Sequence, residues 1–132
     1  PGRKLMRELK IGSFEKVIKI QKAVEIKNEV IQYSTIYLPY QKGNPIVEDV
    51  INFANFHGIM EKGKLQFQLK KVLNIDIVNP PLEVRDRLNI DHDECCFLVS
   101  QNIISMEDGM PISYNEFFIK RNYFTLSAET TF

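Results

Sequence analysis

The chain has 132 residues, 44% of them apolar and 26% charged; this is the profile of one globular domain with a real core, and too little chain for two ordinary ones. Seventeen Lys plus Arg balance seventeen Asp plus Glu, so there is no electrostatic footprint for nucleic acid or an anionic membrane. No apolar run of about eighteen residues occurs and no secretory signal is present, so no membrane span is expected and a cytoplasmic location is.

The chain opens on Arg3 to Leu9, where Leu5, Met6 and Leu9 keep helical spacing, and Gly12 is expected to end that helix. "EKVIKIQKAVEI" is β-branched and partly alternating, which predicts a strand. Asn28 and Glu29 make a turn, and "VIQYSTIYLP" returns as a second strand that Pro39 stops. "GNPIVEDVINFANFHG" predicts a helix capped by Asn44, with Pro45 at its first position and Gly58 at its exit. One long half-exposed strand follows, with Leu65, Phe67, Leu69, Leu73, Ile75 and Ile77 on its apolar face. "NPPLEVRDRLNI" predicts a helix capped by Asn79. "ECCFLVSQNIIS" is apolar on both faces and predicts a central strand. Asp108 and Gly109 form a hairpin turn, "MPISYNEFFI" returns, and "NYFTL" is expected to add an edge strand. Three helices and about six strands joined mostly by hairpins make the fold α+β, an antiparallel sheet with flanking helices.

The adjacent Cys95 and Cys96 point to opposite faces of a strand, so a bond between them would be strained and both are expected to be reduced and buried. They give no zinc spacing with His57 and His92, and no phosphate loop or nucleophile motif occurs, so neither a metal nor a cofactor is expected.

The two halves read alike. "ELKI" matches "RLNI" at a spacing of 79 residues, and "VIQYS" matches "PISYN" at a spacing of 81. An internal αββ repeat, with a short insertion in the second copy, accounts for the drift. A cleft between related halves is a natural ligand site.

These segments, with "YLP", "FHGI" and "EDGMPISYNEFFIKRNYF", resemble in order and spacing the UTRA domain, the effector-binding half of HutC-type regulators of the GntR family. The resemblance runs from about Arg3 to Leu126. It implies a chorismate-lyase-like fold and a homodimer. It also implies one effector-binding domain over 1–132, with a winged helix–turn–helix head expected upstream and absent from this chain. DNA would be bound only through that head, while a small-molecule effector binds this domain.

Sugar-phosphate members of the family carry two arginines on the first strand, and the matching positions here are Lys19 and Gln21. The family's acidic sugar-contacting residue falls at Ser34, and its second-half counterpart at Ser113. Alternation puts Asn115 on the face of Ser113, so the expected effector-binding residues are Lys19, Gln21, Ser34, Ser113 and Asn115. A sugar phosphate is disfavoured, because Glu48 and Asp49 occupy the helix start where such members place Ser around the anion. The alternatives are a dimerisation module without an effector and a lyase-like enzyme. The enzyme would want arginines in its cleft, whereas Arg3, Arg7, Arg85, Arg87 and Arg121 fall on expected helices or at a strand end.

Overall fold

The computed structural model describes residues 2–40 and 69–131. Among these residues the elements run α1 (Arg3–Leu9), β1 (Val17–Ile26), β2 (Glu29–Pro39), β3 (Leu69–Val78), α2 (Leu82–Leu88), β4 (Cys96–Ser105) and β5 (Pro111–Ile119), followed by one 3-10 turn, Arg121–Tyr123. The five strands form one sheet in the order β1-β2-β5-β4-β3. Every neighbouring pair is antiparallel. The fold is therefore the expected α+β sheet with helices on it.

The repeat is exact in register. Adding 79 to the bounds of α1 and β1 gives the bounds of α2 and β4. The same step carries the helix-ending residue Lys10 (φ 52°) onto Asn89 (φ 53°), and the β1 bulge after Val24 onto the β4 bulge after Ile103. In the return strands the step is 81, which carries the pairs Tyr33–Phe118 and Tyr37–Tyr114 onto one another. Thr35 opposite Glu116 maps onto itself, so a pseudo-twofold axis passes through that pair. The two extra residues sit in the second hairpin: Lys27 and Asn28, both at positive φ, turn the first tightly, whereas Met106–Gly109 turns the second with Gly109 at φ 71°. A two-residue hairpin turn of type I′ takes positive φ at both positions, and a short polar Asn accepts it readily.

Both described helices lie on one face of the sheet, each over the other half's return strand. Val84 and Leu88 of α2 pack with Tyr33, Cys96 and Phe118, supported by Val78 and Leu98. On α1, Lys4 reaches Glu116 and Glu8 accepts from Asn102. A second apolar cluster of Ile36, Leu38 and Ile103, with Ile18, Ile20, Leu69 and Ile112 against it, lies on the opposite face. Alternation along β2 separates the two, since Tyr33 and Ile36 project to different sides.

Several local expectations are corrected. Lys10, not Gly12, takes the left-handed conformation that ends α1, and the first turn is centred on Lys27 and Asn28 rather than Glu29. Asn79 does not cap α2, whose N-cap is Pro81; its Oδ1 accepts from Arg85 instead. Buried Arg85 spends its other bonds on the carbonyls of Pro80, Asp91 and Glu94. "NYFTL" adds no strand: residues 121–123 turn back and Tyr123 donates to Glu29. The alternating strand is β3, but Leu73, Ile75 and Ile77 on its apolar face are exposed. The helix expected over 43–58 and the start of the strand before Leu69 lie outside the described residues.

Candidate functional site

β5 sends Tyr114, Glu116 and Phe118 to the helix face, and therefore Ser113, Asn115 and Phe117 to the opposite one. Ser113 stands opposite Ile103 on β4, and Asn115 lies between Ile36 on β2 and Gln101 on β4. Both side chains are 0% exposed. Two polar residues thus lie inside the apolar cluster of Ile36, Leu38 and Ile103. Asn115 Nδ2 donates to Gln101 Oε1 at 2.9 Å. Among the described residues, Asn115 Oδ1 and Ser113 Oγ have no hydrogen-bond partner. Leaving such a group buried and unpaired costs about 1–3 kcal/mol, a burden that a core selected for stability alone would shed. Ser34, the repeat equivalent of Asn115, is also buried and donates to the Lys22 carbonyl at 3.3 Å.

Lys19 and Gln21 are placed elsewhere. Their partners across the ladder are Tyr37 and Thr35, which puts them on the helix face. Both are exposed. Gln21 Nε2 donates to Glu83 at 3.3 Å, and Tyr33 donates its hydroxyl to the same carboxylate oxygen at 3.3 Å. The structure therefore brings Ser34, Ser113 and Asn115 together on one face and keeps Lys19 and Gln21 on the other. The five residues do not line one cleft. Gln101, which the sequence reading left out, is the side chain that orients Asn115; its position on the "VSQNI" strand opposite "SYN" is the signal that could have found it.

The helix face carries a concavity of about 420 Å³ between α1, β4 and β3, lined by Lys4, Glu8, Asn74, Asp76, Ser100 and Asn102 among others. Its polar groups are partly spoken for. Asn102 Nδ2 donates to Glu8 at 2.6 Å, and Lys4 Nζ lies 3.4 Å from Glu116 and 5.5 Å above the Tyr114 ring. The Tyr114 hydroxyl, with Glu116, holds the Lys4 ammonium above its ordinary pKa. Burial pushes the phenols of Tyr33, Tyr37 and Tyr114 up, so all three are neutral donors at physiological pH. This arrangement docks α1 on the sheet.

Among the described residues no group of three or more His, Cys, Asp or Glu is placed to hold a metal ion. Burial, with Cys95 beside it, pushes the Cys96 thiol up to about 11. A protonated thiol is neither a good ligand nor a nucleophile. No described helix is long and apolar enough to cross a membrane.

A family model described as the UTRA domain matches residues 1–125 of the chain. Among solved structures, a GntR-family transcriptional regulator from Enterococcus faecalis V583 superposes with a TM-score of 0.78 at 15% identity, over 98% of this chain and 92% of that one. The C-terminal domain of the histidine utilization repressor from Pseudomonas syringae pv. tomato DC3000 gives 0.78 at 12%, over 96% and 86%. The effector domain of PhnF from Mycobacterium smegmatis gives 0.79 at 17%, over 99% and 80%. At these identities the likeness is one of fold. No curated protein matches the chain.

Proposed function

This chain belongs to the UTRA domain family, and on that premise we propose that it is the sensing and dimerisation part of a bacterial HutC-type regulator. It binds a small metabolite, and binding alters how paired DNA-binding heads, lying upstream in the same polypeptide, sit on an operator. The observation that carries the reading is the pair of buried, unpartnered oxygens on Ser113 and Asn115. They form a polar row with apolar walls, which is what a small polar ligand needs.

The donor inventory narrows the ligand. Asn115 Nδ2 is committed to Gln101, so Oδ1 is left as an acceptor, and Ser113 can accept or donate. An N–H or O–H group on the ligand satisfies both. Described β-strand residues bring no arginine to that face, and the lysines there, Lys22 and Lys71, are exposed. A neutral polyol, amide or amino-acid-like compound therefore fits better than a sugar phosphate. The lyase-like alternative loses ground for a related reason: the guanidinium of buried Arg85 is consumed by backbone carbonyls and Asn79.

A thermal-shift screen of the purified chain tests the proposal. The panel pairs sugar phosphates with their unphosphorylated sugars and adds amino acids, carboxylates and phosphonates. A ligand at about a hundred times its Kd stabilises the fold by roughly 2.7 kcal/mol, a rise of several degrees for a domain of this size. Hits among the uncharged compounds are expected. A sugar-phosphate hit would keep the sensor and overturn the reading of the site, and no hit anywhere would shift weight to a dimerisation module.

A further inference from the structure

The chain after the 3-10 turn alternates. Phe124, Leu126 and Ala128 are apolar, and Thr125, Ser127 and Glu129 between and after them are polar. A period of two gives an extended segment one apolar side and one polar side. Phe124 is extended, at φ −129° and ψ 127°, and residues 125–131 belong to no helix or strand and are exposed. Leu126 is 70% exposed, so the apolar side of the segment is uncovered.

Two contacts pin the base of this segment. Tyr123 donates its hydroxyl to Glu29 at 2.7 Å, and the Phe124 ring lies 4.7 Å from the ring of Phe97. Phe97 stands between Ile119 on β5 and Ile77 on β3, which places it on the face of Ser113 and Asn115. Next on that face of β4 comes Val99, between Phe117 and Ile75, and then Gln101, which holds Asn115. Val99 and Phe117 are half-buried and Ile75 is exposed. An apolar shelf therefore leads from the Phe124 anchor to the Ser113–Asn115 row.

The segment and the shelf keep step. An extended chain and a strand both advance about 3.4 Å a residue. Laid along β4 from its anchor, the segment brings Leu126 over Val99 and Ala128 over Gln101, with the polar residues facing water. β4 begins at Cys96, one residue before the anchor, so its floor extends in one direction only. The inward side chains shrink from Phe to Leu to Ala toward Asn115, which leaves space there for a ligand. Binding sites enclose most of a small ligand's surface, and a bare sheet face covers one side of it.

We infer that residues 124–129 are a strap for the effector face: hinged at Phe124, the segment closes along β4 with Phe124, Leu126 and Ala128 inward and covers the Ser113–Asn115 row. The inference rests on the reading of that face as the sensor site and gives the site a gate. A ligand beneath Ala128 adds contacts made only in the closed arrangement, so occupancy shifts the strap toward closure.

Paramagnetic relaxation in the methyl-labelled 132-residue chain tests the strap without any ligand. A nitroxide is attached at Thr125→Cys or at Glu129→Cys, on the outward side of the segment, in a Cys95→Ser background; Cys96 is fully buried and does not take the label. Both label sites are exposed, so the fold tolerates them. Broadening falls so steeply with distance that even a minor closed population registers. The label at position 125 is expected to broaden the methyl signals of Ile77 and Val99, and the label at position 129 those of Ile36 and Ile103. Val84 and Leu88, on the helix face, should stay sharp in both. Adding Leu126→Asp sets a charge against the shelf and is expected to remove the broadening at Ile36 and Ile103. Sharp Ile36 and Ile103 signals with the label at position 129, or broadening that Leu126→Asp leaves unchanged, would overturn the strap and leave the sensor reading standing. Failure of the sensor reading shows separately, as silence in the thermal screen.

Discussion

Asn115 and Gln101 hold each other across the β5–β4 ladder, Nδ2 to Oε1 at 2.9 Å, and that bond leaves the remaining oxygen of Asn115 facing no donor among the described residues. With one side of the amide fixed, the residue cannot flip to satisfy the other. Ser113, two residues earlier on the same face, is equally buried and equally unpaired. The two are pre-organised for a donor that comes from outside the described residues.

Ser113→Ala should separate stability from binding. Removing a buried hydroxyl with no partner relieves its desolvation cost, so the ligand-free chain should become more stable by about 1 kcal/mol. The same change should weaken the effector by about tenfold, the worth of one hydrogen bond in a dry site. Urea denaturation reads the first effect, and calorimetric titration with the hit of the thermal screen reads the second.

Arg85 should be among the costliest side chains to replace. It is buried and ties the entry of α2, at Asn79 and Pro80, to the turn beyond it, at Asp91 and Glu94. Arg85→Met leaves several acceptors unpaired and should lower the unfolding free energy by about 3 kcal/mol in urea. Arg85→Lys should recover less than half, because an ammonium cannot reproduce the planar fork.

Stability should fall with acid through Glu29. Its carboxylate accepts from Lys120 at 2.8 Å and from Tyr123 at 2.7 Å, and those bonds, Lys120 first, hold its pKa below the usual 4.5. A folded pKa below the unfolded one means the contribution is complete above about pH 4.5 and is lost as the pH falls through the folded value. Glu29→Gln should flatten that acid limb in thermal melts between about pH 3 and 6. A wild-type-like slope in the variant would show that other carboxylates carry it.

Much of the architecture could be read in the residues. Alternation located the strands, and the spacings of 79 and 81 between "ELKI" and "RLNI" and between "VIQYS" and "PISYN" foretold two superposable halves. Local chemistry misled where a residue had a better use than its stereotype. Asn79 looks like a cap, but Arg85 needs its oxygen more; Gly12 looks like a helix stop, but Lys10 and its repeat mate Asn89 already end their helices.

The candidate site was legible strand by strand and not between strands. Period two tells that Lys19 shares a face with Gln21, and Ser113 with Asn115. Whether those faces coincide depends on register, and a slip of one residue inverts a whole strand. The turn at Lys27 and Asn28 sets Lys22 against Ser34, which sends Lys19 and Gln21 to the helix side. No pattern within either strand encodes that choice. The exposure of Leu73, Ile75 and Ile77 was also illegible, because an apolar row reads the same whether its cover is its own chain or another.

The most direct test of the sensor account is a ¹⁵N-correlation NMR titration of the chain with the strongest compound from the screen. The account predicts that the first signals to move are the Asn115 and Gln101 side-chain amides and the Ser113 backbone amide. Those of Lys4, Ser100 and Asn102, around the helix-face concavity, should follow weakly or not at all. Shifts confined to that concavity, with Ser113, Asn115 and Gln101 unmoved, would place the effector on the other side of the sheet and contradict the account.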